Sequence, residues 1–109
     1  MITWNDFEKI EIRVGTILTA QPFEKAKQPA YQLSINFGDI GIKKSSAQIT
    51  HLYSVEDLIG KQIIAVVNFP PKQIANFLSE CLVLGVYNAN QEVILLQPSF
   101  TVSNGDKIG

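Results

Sequence analysis

Side chains along the first third of the chain alternate between apolar and polar. In Lys9-Ile-Glu-Ile-Arg-Val-Gly-Thr-Ile17, Ile10, Ile12 and Val14 alternate with Glu11 and Arg13, the two-residue period of a half-buried strand. Gly15 interrupts the alternation and apolar residues resume at Ile17 and Leu18, which predicts a long first strand with a bulge or tight bend at the glycine. Gln21-Pro22 and Gln28-Pro29 bracket a polar loop carrying Lys25 and Lys27, because the residue before proline is held out of helical geometry. Tyr31, Leu33, Ile35 and Phe37 then alternate with Gln32, Ser34 and Asn36, so Tyr31 and Phe37 are assigned to the core. Gly38-Asp39 and Gly41 supply the turn into Ile42-Lys-Lys-Ser-Ser-Ala-Gln-Ile49, and the two segments read as a hairpin.

Other patterns govern the rest. Ser54-Val-Glu-Asp57 has the spacing of a capping box and Gly60 is a stop signal, leaving room for a helix of about one and a half turns. Gln62-Ile-Ile-Ala-Val-Val-Asn68 and Cys81-Leu-Val-Leu-Gly-Val-Tyr87 are continuous apolar runs of strand length, each expected near the centre of the core. Between them, Pro70-Pro71 cannot extend a sheet, so Phe69 to Phe77 reads as a crossing loop with one helical turn. Asn88-Ala-Asn90 turns the chain into Val93-Ile-Leu-Leu96, and Asn104-Gly105 is a second turn pair. Trp4 and Phe7 lie in a segment too short to fold alone, and are expected to dock on the domain or on a partner subunit. Five strands, a short helix between the third and fourth, and no βαβ alternation predict a small closed all-β domain, and a five-stranded OB-type barrel fits that order.

Composition narrows the function classes. A length of 109 residues with 46% hydrophobic residues is expected to form a single domain, residues 1–109, burying about 65% of the surface of the unfolded chain. Nine Lys plus Arg against ten Asp plus Glu give a net charge of −1, which excludes a broadly basic nucleic-acid binder and leaves room for a local patch. Such a patch is present between residues 25 and 44, where Lys25, Lys27, Lys43 and Lys44 face Asp39 alone. No apolar run approaches the ~18 residues of a membrane span, and the acidic start Met1-Ile-Thr-Trp-Asn-Asp-Phe-Glu8 carries no export pattern, so a cytoplasmic location and no membrane partner are expected. Cys81 is the lone cysteine and His51 the lone histidine. They give no disulfide and no zinc-ligand spacing, so Cys81 is assigned to the core, His51 to the surface or an interface, and no metal or cofactor is expected. No nucleophile–base pair or phosphate loop is recognisable, which points away from an enzyme.

The densest polar segment, Lys43-Lys-Ser-Ser-Ala-Gln48, is the best candidate site. Two cations precede hydroxyl and amide groups able to bond sugar and phosphate oxygens, although the same residues would serve as an ordinary solvated strand face. Asn68, Lys72, Ser79 and Glu80 flank the two apolar runs, where loops project from a rigid scaffold. Lys72 can meet a phosphate or act as a plain loop lysine. Glu80 repels phosphate, and its expected role is to orient a neighbouring cation or accept from a base amine or a ribose hydroxyl.

Taken in order, these segments resemble the CsaA branch of the tRNA-binding domain family. The resemblance is carried by Asp6-Phe-Glu-Lys-Ile-Glu-Ile-Arg-Val-Gly15, Pro29-Ala-Tyr31, Ile35-Asn-Phe-Gly38, Gly41-Ile-Lys-Lys-Ser-Ser-Ala-Gln-Ile-Thr50, Val67-Asn-Phe-Pro-Pro-Lys-Gln-Ile74, Ser79-Glu-Cys-Leu-Val-Leu-Gly85, Leu95-Leu-Gln-Pro98 and Asn104-Gly-Asp-Lys-Ile-Gly109. It implies an OB-fold homodimer whose terminal extensions contribute to the interface, with tRNA as the leading partner and unfolded or exported polypeptides as the alternative. By position it assigns RNA contact to Lys43, Lys44, Ser45, Ser46, Gln48, Asn68, Lys72, Ser79 and Glu80. Two departures stand out: Cys81-Leu82 replaces the Gly-Met of many tRNA-binding relatives, and Lys72 replaces an arginine, giving a point charge where a bidentate group would stand.

Overall fold

The computed structural model describes residues 1–109. Its elements are α1 (Trp4–Glu8), β1 (Ile12–Pro22), β2 (Tyr31–Asn36), β3 (Ile42–Ala47), α2 (Val55–Leu58), β4 (Gln62–Val66), β5 (Lys72–Ile74), β6 (Phe77–Ser79), β7 (Leu82–Val83), β8 (Gly85–Tyr87) and β9 (Val93–Leu95). Five strands form one antiparallel sheet in the order β3-β2-β1-β4-β7, and β5-β6 and β8-β9 are separate hairpins.

The long first strand makes this sheet curl. Its first part pairs with β4, from Ile12 opposite Val66 to Thr16 opposite Gln62, and its second part pairs with β2, from Thr16 opposite Asn36 to Pro22 opposite Tyr31. The bulge predicted at Gly15 lies instead at Leu18, between Ile17 and Thr19. One extra residue there lets Ile17 and Ala20 both face inward although they are three positions apart. Gly15 has a different role: a Cβ on it would stand 2.7 Å from Ile35 Cγ2 and from the Phe37 ring. Absence of a side chain is what lets Phe37 lie against the strand. The edge of β1 left free by the bend is taken by the C-terminal segment, with Gly105 N donating to Val14 O at 2.7 Å and Ile108 N to Ile12 O at 2.9 Å. Arg13 bonds Glu11 at 3.2 Å and Lys107 lies 3.7 Å from the same carboxylate, which clips this segment down. The Arg13 hydrogen bond is the main reason that the Glu11 carboxyl titrates below its usual range.

Alternation in β2 puts Leu33 and Ile35 inside, where they join Ile17, Phe37, Leu58, Ile63, Ala65 and Leu95 in one core. The Ser54 capping box forms as predicted, with Asp57 N donating to Ser54 Oγ at 3.2 Å and Ser54 N to Asp57 Oδ2 at 3.0 Å. Helix α2 is shorter than expected because Ile59 is already extended; its Leu58 plugs the core. The same device at Thr3 and Asp6 builds α1, an element absent from the sequence prediction.

Two expectations are corrected. Phe69 to Phe77 holds no helical turn: Pro70-Pro71 fall just before β5, and Ala75, with φ of 50°, turns the chain into β6. The Cys81–Tyr87 run is not one central strand but breaks at Leu84 into β7 and β8. Cys81 is buried and Leu82, on β7, is exposed; Val86 and Tyr87 are exposed because β8 leaves the barrel to pair with β9.

Gly15→Ala is expected to keep the fold and lower stability by about 1–3 kcal/mol, the cost of overpacking a filled core. Urea denaturation checks this; an unchanged midpoint contradicts the assigned role of Gly15.

Candidate nucleic-acid interface

The sheet closes where β3 meets residues 79–81, and side chains make most of that seam. Glu80 N donates to Lys44 O at 2.7 Å. The reciprocal bonds go to side-chain oxygens: Lys44 N to Glu80 Oε1 at 2.9 Å and Ser46 N to Ser79 Oγ at 3.1 Å. On the inner side, Ser45 Oγ donates to Cys81 O at 2.9 Å.

This seam joins the β5–β6 hairpin to the outer surface of β1, β2 and β3. Inward positions alternate with outward ones along a strand, so the polar partners of the core residues fall into rows across the outer face. One row runs Gln21, Gln32, Ser46, Ser79, Lys72, since Gln21 pairs with Gln32, Gln32 with Ser46 and Lys72 with Ser79. The next runs Thr19, Ser34, Lys44, Glu80. Gln21 Nε2 donates to Gln32 Oε1 at 2.7 Å, and the Thr19 and Ser34 hydroxyls bond each other. The end of the face next to the 23–30 loop is apolar. There the Phe23 and Phe77 rings lie 5.4 Å apart, and the Lys44 ammonium stands 5.4 Å from the Phe77 centroid.

Lys44, Ser46, Lys72, Ser79 and Glu80, all expected at the site, are gathered on this face, and Gln48 is exposed just past the end of β3. Three others lie elsewhere. Ser45 is only 1% exposed and spends its hydroxyl on the inner side of the seam. Lys43 shares Ser45's side of β3 and is half-buried, so the two adjacent lysines point to opposite faces. Asn68 accepts from Glu11 N at 2.9 Å and donates to Lys9 O at 2.7 Å, a clip on the residues that follow α1. Thr19, Gln21, Gln32 and Ser34 were not singled out from the sequence. Their only signal there is that they alternate with core residues.

A separate polar cleft of about 520 Å³ is lined by Thr16, Asp57, Lys61, Gln62, Gln97 and Ser99 among others. Its groups are engaged in holding the chain: Asp57 caps α2, and Gln62 binds Val102 through both amide atoms. No group of three or more His, Cys, Asp or Glu side chains is placed to hold a metal, and no helix is long and apolar enough to cross a membrane.

Residues 12–107 match the family model described as "Putative tRNA binding domain". The chain belongs to this tRNA-binding domain family. It resembles the CsaA chaperone protein from Picrophilus torridus at 59% identity with a TM-score of 0.94, covering all of both chains. Chaperone CsaA from Bacillus anthracis is similar at 51% identity and a TM-score of 0.95, over 100% of this chain and 99% of that one. The barrel is thus an OB-fold of the CsaA-like branch. Among curated relatives, the methionine–tRNA ligase of Methanococcoides burtonii is 32% identical over 105 residues, which is 96% of this chain and 15% of the ligase. That of Leptospira biflexa is 34% identical over the same shares. The chain therefore spans about 15% of the length of the ligases it matches.

In this CsaA-like chain the Cys81-Leu82 departure falls outside both polar rows: Cys81 is buried at the seam and Leu82 pairs with Val66 of β4. Burial pushes the Cys81 thiol up to about 11 from 9.0. The protonated thiol's contribution to stability is complete below about pH 9 and is lost as pH rises towards 11, because above pH 9 the unfolded chain releases a proton that the folded one keeps. Native protein at pH 8 is expected to react with a thiol reagent at least ~10-fold more slowly than urea-unfolded protein, since the thiolate is the nucleophile. Equal rates in a timed labelling assay would contradict the burial.

Proposed function

We propose that this chain is a non-enzymatic binding module that holds structured tRNA on the outer face of β1–β3 and the β5–β6 hairpin, working as a homodimer. The observation that carries the reading is the continuous pair of polar rows with Lys44 and Lys72 at the seam. Lys25 and Lys27 lie exposed in the loop beside it. OB-type barrels bind oligonucleotides on this same strand face and its adjoining loops. The family description names tRNA, and the ligase relatives act on tRNA by their printed name.

Dimerisation is supported by the exposed surface. The chain exposes 7,052 Å², whereas a monomer of this size exposes roughly 6,000 Å². The surplus, about 1,000 Å², exceeds the ~800 Å² per partner that a standard interface buries. Large apolar groups account for part of it: Trp4 and Phe100 are each 83% exposed and Tyr87 is 69% exposed. The same apolar surface supports a second reading, a chaperone that takes up unfolded or exported polypeptides; the two CsaA neighbours are called chaperones by their printed names.

Four lysines per protomer at ~0.7–0.9 per neutralised phosphate give an expected log-affinity against log-salt slope of about −3 for one face and about −6 for two. Lys44→Ala/Lys72→Ala should roughly halve that slope in gel-shift titrations with tRNA, and a slope near zero overturns the tRNA reading. Sedimentation equilibrium is expected to give twice the chain mass. A monomer that suppresses client aggregation independently of salt favours the chaperone reading.

A further inference from the structure

We infer that the Gln21–Gln32–Ser46–Ser79 row is a ribose reader: it recognises 2′-hydroxyl groups and makes the face selective for RNA over DNA of the same shape. The inference rests on the RNA-binding reading and adds what the face detects. Its basis is the hydrogen-bonding capacity that the row has left over. Gln21 Nε2 is spent on Gln32 Oε1, which leaves the Gln21 carbonyl as an acceptor and the Gln32 amide as a donor. Ser79 Oγ accepts from Ser46 N and keeps its own proton, and the Ser46 hydroxyl has no partner within the chain. The row therefore presents donors and acceptors interleaved.

Phosphate oxygens only accept, so a row built for phosphate needs donors alone. A ribose 2′-hydroxyl both donates and accepts, and it is the group that separates RNA from DNA at a given site. Neither polar row contains an aromatic side chain. Phe77 is the aromatic ring that borders the face, with Phe23 beside it and the Lys44 ammonium over it. Charge alone is also insufficient. Lys25, Lys27, Lys44 and Lys72 are offset by Glu24 in the same loop and Glu80 on the seam, so the net local charge is small and neutral hydrogen bonds must contribute much of the binding.

The test measures the wild-type protein against one tRNA sequence made as RNA, as DNA and as 2′-O-methyl RNA, the last retaining the acceptor and losing the donor. RNA is expected to bind at least ~10-fold tighter than DNA, a difference of about 1.4 kcal/mol, with the methylated form in between. Gln32→Ala/Ser46→Ala should bring RNA down to the DNA level while the salt slope is retained, and Gln21→Ala, at an exposed position near the strand end, supplies a variant with little risk to folding. Lys44→Ala/Lys72→Ala should lower the slope for both nucleic acids and preserve their ratio. Equal affinity for RNA and DNA, with a normal salt slope, overturns the ribose reading and leaves nucleic-acid binding standing. Absence of binding to all three overturns both.

Discussion

Barrel closure in this protein depends on a seam where one strand edge is met largely by side-chain oxygens. Two backbone amides of β3, at Lys44 and Ser46, would be unpaired without Glu80 Oε1 and Ser79 Oγ, and an unpaired amide at a sheet edge is both costly and open to mispairing. Ser45 completes the join from inside by bonding the Cys81 carbonyl in a buried position. The consequences run outward from that join. The β5–β6 hairpin continues from Ser79, so whatever holds Ser79 to β3 also sets where Lys72 stands relative to the strand face. Core closure and the geometry of the candidate interface therefore share the same three or four hydrogen bonds.

This sharing explains why some of the site was legible in the sequence and some was not. The alternation in Tyr31–Phe37 correctly separates core from surface, and the Ser54 capping box correctly places a helix, because both signals are local. Runs of like residues are a different matter. Lys43-Lys44-Ser45-Ser46 reads as one polar block, yet a strand sends neighbours to opposite faces, and only register with β2 and the seam decides that Lys44 and Ser46 face out. Asn68 and Ser79 look alike as loop polar residues. One is committed to the segment after α1, 57 and 59 positions away in sequence, and the other to the seam. Long-range pairing of that kind leaves no periodic trace. The α1 cap at Thr3 and Asp6 is a local signal too, but no apolar period follows it in so short a segment, so it does not stand out as a helix start.

The two sides of β1 divide the remaining surface by chemistry. Along its second half, Thr19 and Gln21 continue the polar rows into β2. Along its first half, β1 pairs with β4 on one edge and with the C-terminal segment on the other, leaving Ile12 half-buried and Val14 buried. The bulge at Leu18 separates these regimes, because it rotates the strand between one partner and the other while keeping Ile17 and Ala20 in the core. The exposed apolar groups on this side are Phe100 and Val102 of the tail. A surface partitioned in this way can bind a polar ligand and an apolar partner at once, and on the dimer reading neither would have to displace the other.

Glu80 gives the proposed interface its internal order. Its carboxylate is fixed beside Lys44 by the bond to the Lys44 amide, so its negative charge belongs to the structure of the seam. A phosphate placed directly over that position would be repelled, while Lys44 on the same row and Lys72 opposite Ser79 would attract one. On the proposed RNA-binding reading, an uncharged sugar is better placed than a phosphate over Glu80, next to Ser46 and Ser79. On that reading, charge repulsion at one fixed carboxylate and hydrogen bonding at its neighbours favour the same placement of the ribose, and Glu80 acts by exclusion while it also holds the seam.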